Sequence, residues 1–253
     1  MDKIHVHIPY SKVGHHLALI KQERLNLEIY FPSSSLDSLK TGEIERLRDS
    51  LDYHPSLSIH SPFMDLSPGA VDSKVKAVTV ERYTHVLDVA EILRPDVIVF
   101  HSGYEKWKYA HRVDIWLESS LNTWRPLINR AALLGTRIAI ENIFEDEPSS
   151  LYLLMKELHS LSFGICFDTG HYNIFSKVSL EEWLGLLSPY IIELHLHDND
   201  KSFDSHLAIG EGTFDFKTLL SRLKERDCIY TIEAHTPEEV LKSIGRLKDM
   251  FVQ

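Results

Sequence analysis

The chain has 253 residues, 43% of them hydrophobic and 25% charged, with a net charge of −10. This length can bury one large core, and the acidic balance excludes a general nucleic-acid surface, which needs clustered Lys and Arg to displace counterions. No apolar stretch reaches the roughly 20 residues of a membrane span, and "MDKIHVHIPY" lacks the order of a signal peptide, so a cytoplasmic protein is expected.

In chain order, short apolar runs alternate with segments of helical period. KIHVHI (3–8) precedes a helix candidate near 13–22, NLEIYF (26–31) one near 43–52, LSIH (57–60) one near 71–93 and DVIVF (96–100) one near 114–134. TRIAIE (136–141), FGICFD (163–168), YIIELHL (190–196) and IYTIEA (229–234) precede candidates near 149–159, 179–188, 215–225 and 237–250. Ser179 and Glu182 have capping-box spacing, and Pro237 suits a first helical turn. Strict βα alternation predicts an α/β chain folded as a single (β/α)8 TIM barrel over 1–253, with a doubly wound open sheet as the alternative. Cys166 and Cys228 are expected to be buried thiols, since Cys166 lies within an apolar run and two cysteines build no disulfide framework.

In such a barrel the active site forms at the C-terminal ends of the strands. Those ends carry His5 and His7, Glu28, His60, His101, Glu141, Asp168, His195 and Glu233. One histidine at a strand end is ordinarily structural. A ring of imidazoles and carboxylates is different, because Asp and Glu are depleted in strands and costly to bury unpaired. Convergent N and O donors without a CxxC pair predict a divalent-cation site, zinc or manganese rather than a closed structural zinc. Two loops extend the set. In FDTGH, His171 follows Asp168 by three residues across a glycine that permits a sharp turn, and in KSFDSHLAIGEG, Asp204 and His206 stand two apart and can clasp one ion.

IHSPF, VFHSG, IENIF, FDTGH, LHLHDND, DSHLAIGEG and TIEAH resemble, in order, the motifs of the xylose isomerase-like barrels, the superfamily that contains endonuclease IV and many sugar isomerases and epimerases. The matching blocks run from His60 to His235, and the first 55 residues match only in outline. The resemblance to endonuclease IV implies three zinc ions. His60, His101 and Glu141 would hold one, Glu141 would bridge to a second held by Asp168, His195 and Glu233, and His171, Asp204 and His206 would hold the third. Manganese or another divalent cation is the alternative. Four carboxylates against three divalent ions leave about +2, suited to one phosphodiester and one attacking hydroxide. Glu141, Glu233 and His171 are the expected catalytic groups. His197 and His235, each two residues beyond a proposed ligand, are expected to orient ligands, and His7, Lys201 and Trp107 to lie beside ligands or substrate.

Departures narrow the substrate. Phe63 stands where endonuclease IV has an intercalating tyrosine, and the densest basic stretch is the short KWKYAHR (106–112), whose cations alternate with aromatics. DNA is therefore not expected. A small phosphodiester is, because the chain also resembles cobamide-remodelling phosphodiesterases in length and motifs. The rival reading is a sugar or sugar-phosphate isomerase or epimerase, which would use one ion on Glu141, Asp168, His195 and Glu233. Some such epimerases carry an arginine six residues after the strand-seven histidine, a spacing that gives Lys201 here. Neither oligomeric state nor pathway is legible.

Overall fold

The structure, a computed structural model, describes residues 3–252. Its eight strands are β1 (Ile4–Pro9), β2 (Asn26–Tyr30), β3 (Leu57–His60), β4 (Val97–His101), β5 (Arg137–Glu141), β6 (Phe163–Asp168), β7 (Ile191–Leu196) and β8 (Ile229–Ile232). All pair in parallel and in sequence order, and β1 pairs with both β2 and β8, which closes the barrel and removes the open-sheet alternative. The apolar runs are nearly continuous because a parallel strand is buried on both faces, as every residue of β4 and β6 is.

Ten helices surround the strands: α1 (Tyr10–Glu23), α2 (Ser33–Ser38), α3 (Glu43–Ser50), α4 (Ser73–Leu93), α5 (Val113–Leu134), α6 (Ser149–Leu158), α7 (Thr169–Phe175), α8 (Leu180–Leu187), α9 (Phe216–Leu223) and α10 (Pro237–Val252). The short α2 and α7 were not expected, since SSSLDS and TGHYNIF carry no apolar stripe. Among the described residues no helix is long and apolar enough to cross a membrane.

The core lies mostly between strands and helices. Trp116 and Trp124 of α5 and Trp183 of α8 are fully buried there, with Trp124 stacked 5.4 Å from Tyr83 and tipped against Phe100. Each such side chain contributes about 2–3 kcal/mol of burial. Inside the barrel a smaller cluster, Val97, Val99, Ala139, Cys166 and Ile229, plugs the lower end. Cys166 and Cys228 are both buried and free. The upper interior is left to polar side chains. Strand register sets some of them level, pairing His101 with Glu141 and Asp168 with His195 across neighbouring strands.

The capping box at Ser179 is formed, with Ser179 Oγ accepting from Glu182 N and Glu182 accepting from Ser179 N at 2.9 Å. Ser179→Ala is expected to cost about 1 kcal/mol, read as a lower urea midpoint with unchanged slope.

Candidate metal centre

Glu141, 2% exposed at the end of β5, is the hub. Its Oε2 lies 3.0 Å from His60 Nε2, 3.1 Å from His101 Nε2 and 3.5 Å from His195 Nδ1, while Oε1 lies 3.1 Å from His171 Nδ1. Asp168 Oδ2 sits 3.8 Å from His195 Nδ1 and 3.0 Å from His197 Nε2. Glu233 faces His195 Nδ1 at 3.4 Å, His7 Nδ1 at 3.2 Å and His206 Nδ1 at 3.7 Å. Asp204 Oδ2 stands 3.1 Å from His206 Nε2 and 3.4 Å from His171 Nε2. All nine proposed ligands therefore meet in one cavity. Within it, His60, His101 and Glu141 form one compact donor group, Glu141, Asp168 and His171 a second, and His197, His206 and Glu233 a third.

Local structure explains this convergence. Asn142, next to Glu141, bonds both the N–H and the carbonyl of Asp168 and ties the ends of β5 and β6. Asp168 caps α7 through the N–H of His171, so the helix start turns His171 into the cavity. Gly170 is helical and has no positive φ, contrary to the sharp turn expected of it. Its requirement is space, because a Cβ there would lie 2.0 Å from His197 Cε1.

The segment HLHDND divides by function. His195 and His197 face the cavity. Asp198 instead accepts the N–H groups of Asn199, Gly210, Gly212 and Phe214 at 2.8–3.1 Å, and Asn199 bonds Gly170 O and Asn173. Together they pin the loop that carries Asp204 and His206.

The electrostatics suit cations. Burial acts against ionisation of Glu141, but His101 and His195 hold its carboxyl well below the usual range. Burial lowers His101, whereas neighbouring carboxylates raise His171 and His195 well above an ordinary imidazole despite their burial. Asp204 and Glu233 likewise outweigh burial to lift His206 to about 9. Without ions, these imidazoles carry the compensating protons. Four buried atoms at the cavity, His101 Nε2, His195 Nδ1, His197 Nδ1 and Asp204 Oδ1, make no well-aligned hydrogen bond, although His101 Nε2 lies 3.1 Å from Glu141 Oε2 and His197 Nδ1 3.5 Å from Asp204 Oδ1. Each unpaired polar atom costs about 1–3 kcal/mol, so the donor set fits a divalent ion bound by N and O.

Below lies a second polar layer. His5, grouped with the strand ends in the sequence, belongs here, bonded to Ser56 and Ser58 and lowered by burial to about 4. Glu193 accepts from Thr231 at 2.6 Å and Ser58 at 3.1 Å, and burial together with nearby Glu28 pushes it up to about 8. Glu28 is fully buried and faces His7 at 2.8 Å and His195 at 3.1 Å, a contact that no motif of the resemblance covers. Its only sequence signal is an acid inside the apolar run of β2, at whose middle it lies and not at its end.

The outer residues are dispersed. His235 lies 5.3 Å from His206, and Phe63 stacks on His101 at 4.4 Å and 5°. Trp107 is 77% exposed and rests on His111, while Lys201 is exposed. The cations of 106–112 are engaged locally, Lys106 with Asp146, Lys108 with Ser67 and Arg112 with Asp114.

The chain belongs to the xylose isomerase-like TIM barrel family, whose sequence profile matches residues 27–250. It is 32% identical to MJ1311, an uncharacterised protein of Methanocaldococcus jannaschii, over 80% of this chain and 72% of that one. Among solved structures, a D-tagatose 3-epimerase-like protein superposes with TM-score 0.84 at 28% identity, covering 99% of this chain and 97% of that one. The TTHB071 protein of Thermus thermophilus, soaked with ZnCl2, superposes with TM-score 0.81 at 27% identity, covering 99% and 98%.

Two outcomes are expected. Gly170→Ala should displace His197 and lower zinc content, measured by elemental mass spectrometry, while far-ultraviolet circular dichroism stays unchanged. Because the folded carboxyl of Glu193 titrates near 8 against an ordinary 4.5, the unfolded chain loses that proton first, and stability should fall as pH rises through this window. In chelator-treated protein, Glu193→Gln should flatten the plot of melting temperature against pH between those values, and parallel plots would refute the assignment.

Proposed function

We propose that this chain is a metal-dependent hydrolase of a small phosphodiester, with zinc as the resident ion at two or three positions. The observation that supports this reading most is the sharing of Glu141 between separate donor groups, with His60 and His101 on one side and Asp168 and His171 on the other. A single-ion site leaves His60, His101, Asp204 and His206 outside the coordination sphere. Bound divalent ions would supply Lewis acidity, an activated water and charge stabilisation for the leaving oxygen. Glu141 and Glu233 place carboxylates 3.5 Å and 3.4 Å from His195 Nδ1.

The protein surface supports a small substrate. With Lys106 and Arg112 paired to Asp146 and Asp114 and Lys108 bonded to Ser67, the stretch 106–112 offers no run of free cations as a track for a nucleic-acid backbone. Phe63, stacked on His101, with Tyr30 6.2 Å away, and the exposed Trp107 remain as apolar surface for the rest of the substrate. Zinc is consistent with the ZnCl2-soaked relative, and two buried free thiols suit a reducing, cytoplasmic compartment.

The second reading is a sugar or sugar-phosphate epimerase or isomerase. It is favoured by the likeness to the D-tagatose 3-epimerase-like protein and by Glu141 and Glu233, which could exchange protons with carbon on opposite faces of a carbonyl-bearing substrate. Metal stoichiometry separates the two. Two to three zinc ions per chain in protein purified without chelator support hydrolysis, and one exchangeable ion supports epimerisation. With bis(p-nitrophenyl) phosphate as probe, Glu141→Gln should lower turnover at least about 100-fold and reduce metal content. A variant with full turnover would remove Glu141 from the mechanism.

A further inference from the structure

We infer that Glu28 is a positioning residue of the metal centre, an inference that rests on the metal reading of the site: its carboxylate selects which nitrogen of His195 faces the ions and turns His7 toward the substrate side. Glu28 lies in β2, level with His7 of β1 and Ser58 of β3, and has no exposed surface. A carboxylate there requires partners. It has one for each oxygen, His7 Nδ1 at 2.8 Å from Oε1 and His195 Nε2 at 3.1 Å from Oε2.

An ionised carboxylate only accepts hydrogen bonds, so each ring nitrogen facing it is an N–H. With an ion bound in place of the second proton, this assigns the remaining proton of His195 to Nε2 and leaves Nδ1 as the lone-pair nitrogen. Nδ1 is the atom that faces Glu141, Asp168 and Glu233 at 3.4–3.8 Å, and it has no hydrogen-bond partner. The opposite tautomer would aim an N–H at the ions and a lone pair at Glu28. The carboxylate therefore makes His195 a ligand through one defined nitrogen, as hydrogen-bonded carboxylates do for metal-bound histidines generally. His7 is held by the same group. With Nδ1 committed to Glu28, Nε2 is its remaining nitrogen, on a ring 21% exposed that stacks on Tyr30. One buried carboxylate thus couples the deepest proposed ligand to a histidine at the rim.

The test uses the full chain. Glu28→Gln can offer only one oxygen, so one histidine loses its acceptor. The expected result is a roughly 10- to 100-fold loss of zinc affinity, measured against a chromophoric chelator, with a changed visible spectrum of the cobalt(II)-substituted protein. Glu28→Asp, which keeps the charge, should recover part of both. Wild-type zinc affinity and an unchanged cobalt spectrum in Glu28→Gln would overturn the inference while leaving the metal reading intact, whereas a wild-type protein that takes up no zinc would overturn both. Should Glu28→Gln fail to fold, nitrogen-15 NMR of the zinc-loaded wild type decides: zinc-bound Nδ1 and protonated Nε2 at His195 are expected, and the reverse assignment overturns the role of Glu28.

Discussion

The organisation of this barrel follows from the burial of five carboxylates, Glu28, Glu141, Asp168, Glu193 and Glu233, within its upper interior. An ionised group removed from water without compensation costs several kcal/mol, so each needs its own solution. Glu193 is kept neutral near pH 7 by burial and the repulsion of Glu28, which outweigh the hydroxyl groups of Thr231 and Ser58 donating to it. The others are matched by imidazoles drawn from five of the eight strands or the segments that follow them. Protons on those imidazoles and divalent ions in the cavity are alternative ways of meeting one charge requirement, so unpartnered nitrogens and raised histidines occur together.

Much of the architecture was legible because a parallel strand buried on both faces writes a continuous apolar run, and here each such run carries an imidazole or a carboxylate within it or just beyond it. Elements without an apolar stripe were not legible. α7 begins on the Asp168 cap, a local signal, but TGHYNIF carries no apolar stripe to mark the helix beyond it, and Gly170 was misread because the demand for space around His197 arises only once β6 and β7 are paired. Asp198 and Asn199 lie in the ligand-rich stretch HLHDND, yet Asp198 accepts backbone N–H groups brought near by the returning loop and Asn199 bonds Gly170 O and Asn173. Glu28, grouped with the strand ends in the sequence, is the middle residue of β2, and its partners lie 21 and 167 residues away.

The hydrolytic and epimerising readings share Glu141, Asp168, His195 and Glu233 and differ in what the flanking residues do. In the first, His60, His101, His171, Asp204 and His206 complete coordination spheres. In the second they become hydrogen-bonding groups around a polyol. Fold alone does not choose between them, since barrels of one family carry different chemistries on the same strand ends.

The loop fastened by Asp198 bears on how ions would be received. Asp204 and His206 are the only proposed ligands carried by a long connection, and such a segment ordinarily loses conformational entropy when it closes on an ion, about 1–2 kcal/mol for each residue ordered. Four amide hydrogens on a single buried carboxylate hold that backbone in place beforehand. The ordering cost is thereby shifted from cation capture to folding, and this side of the cavity is preorganised much as the strand-borne side is.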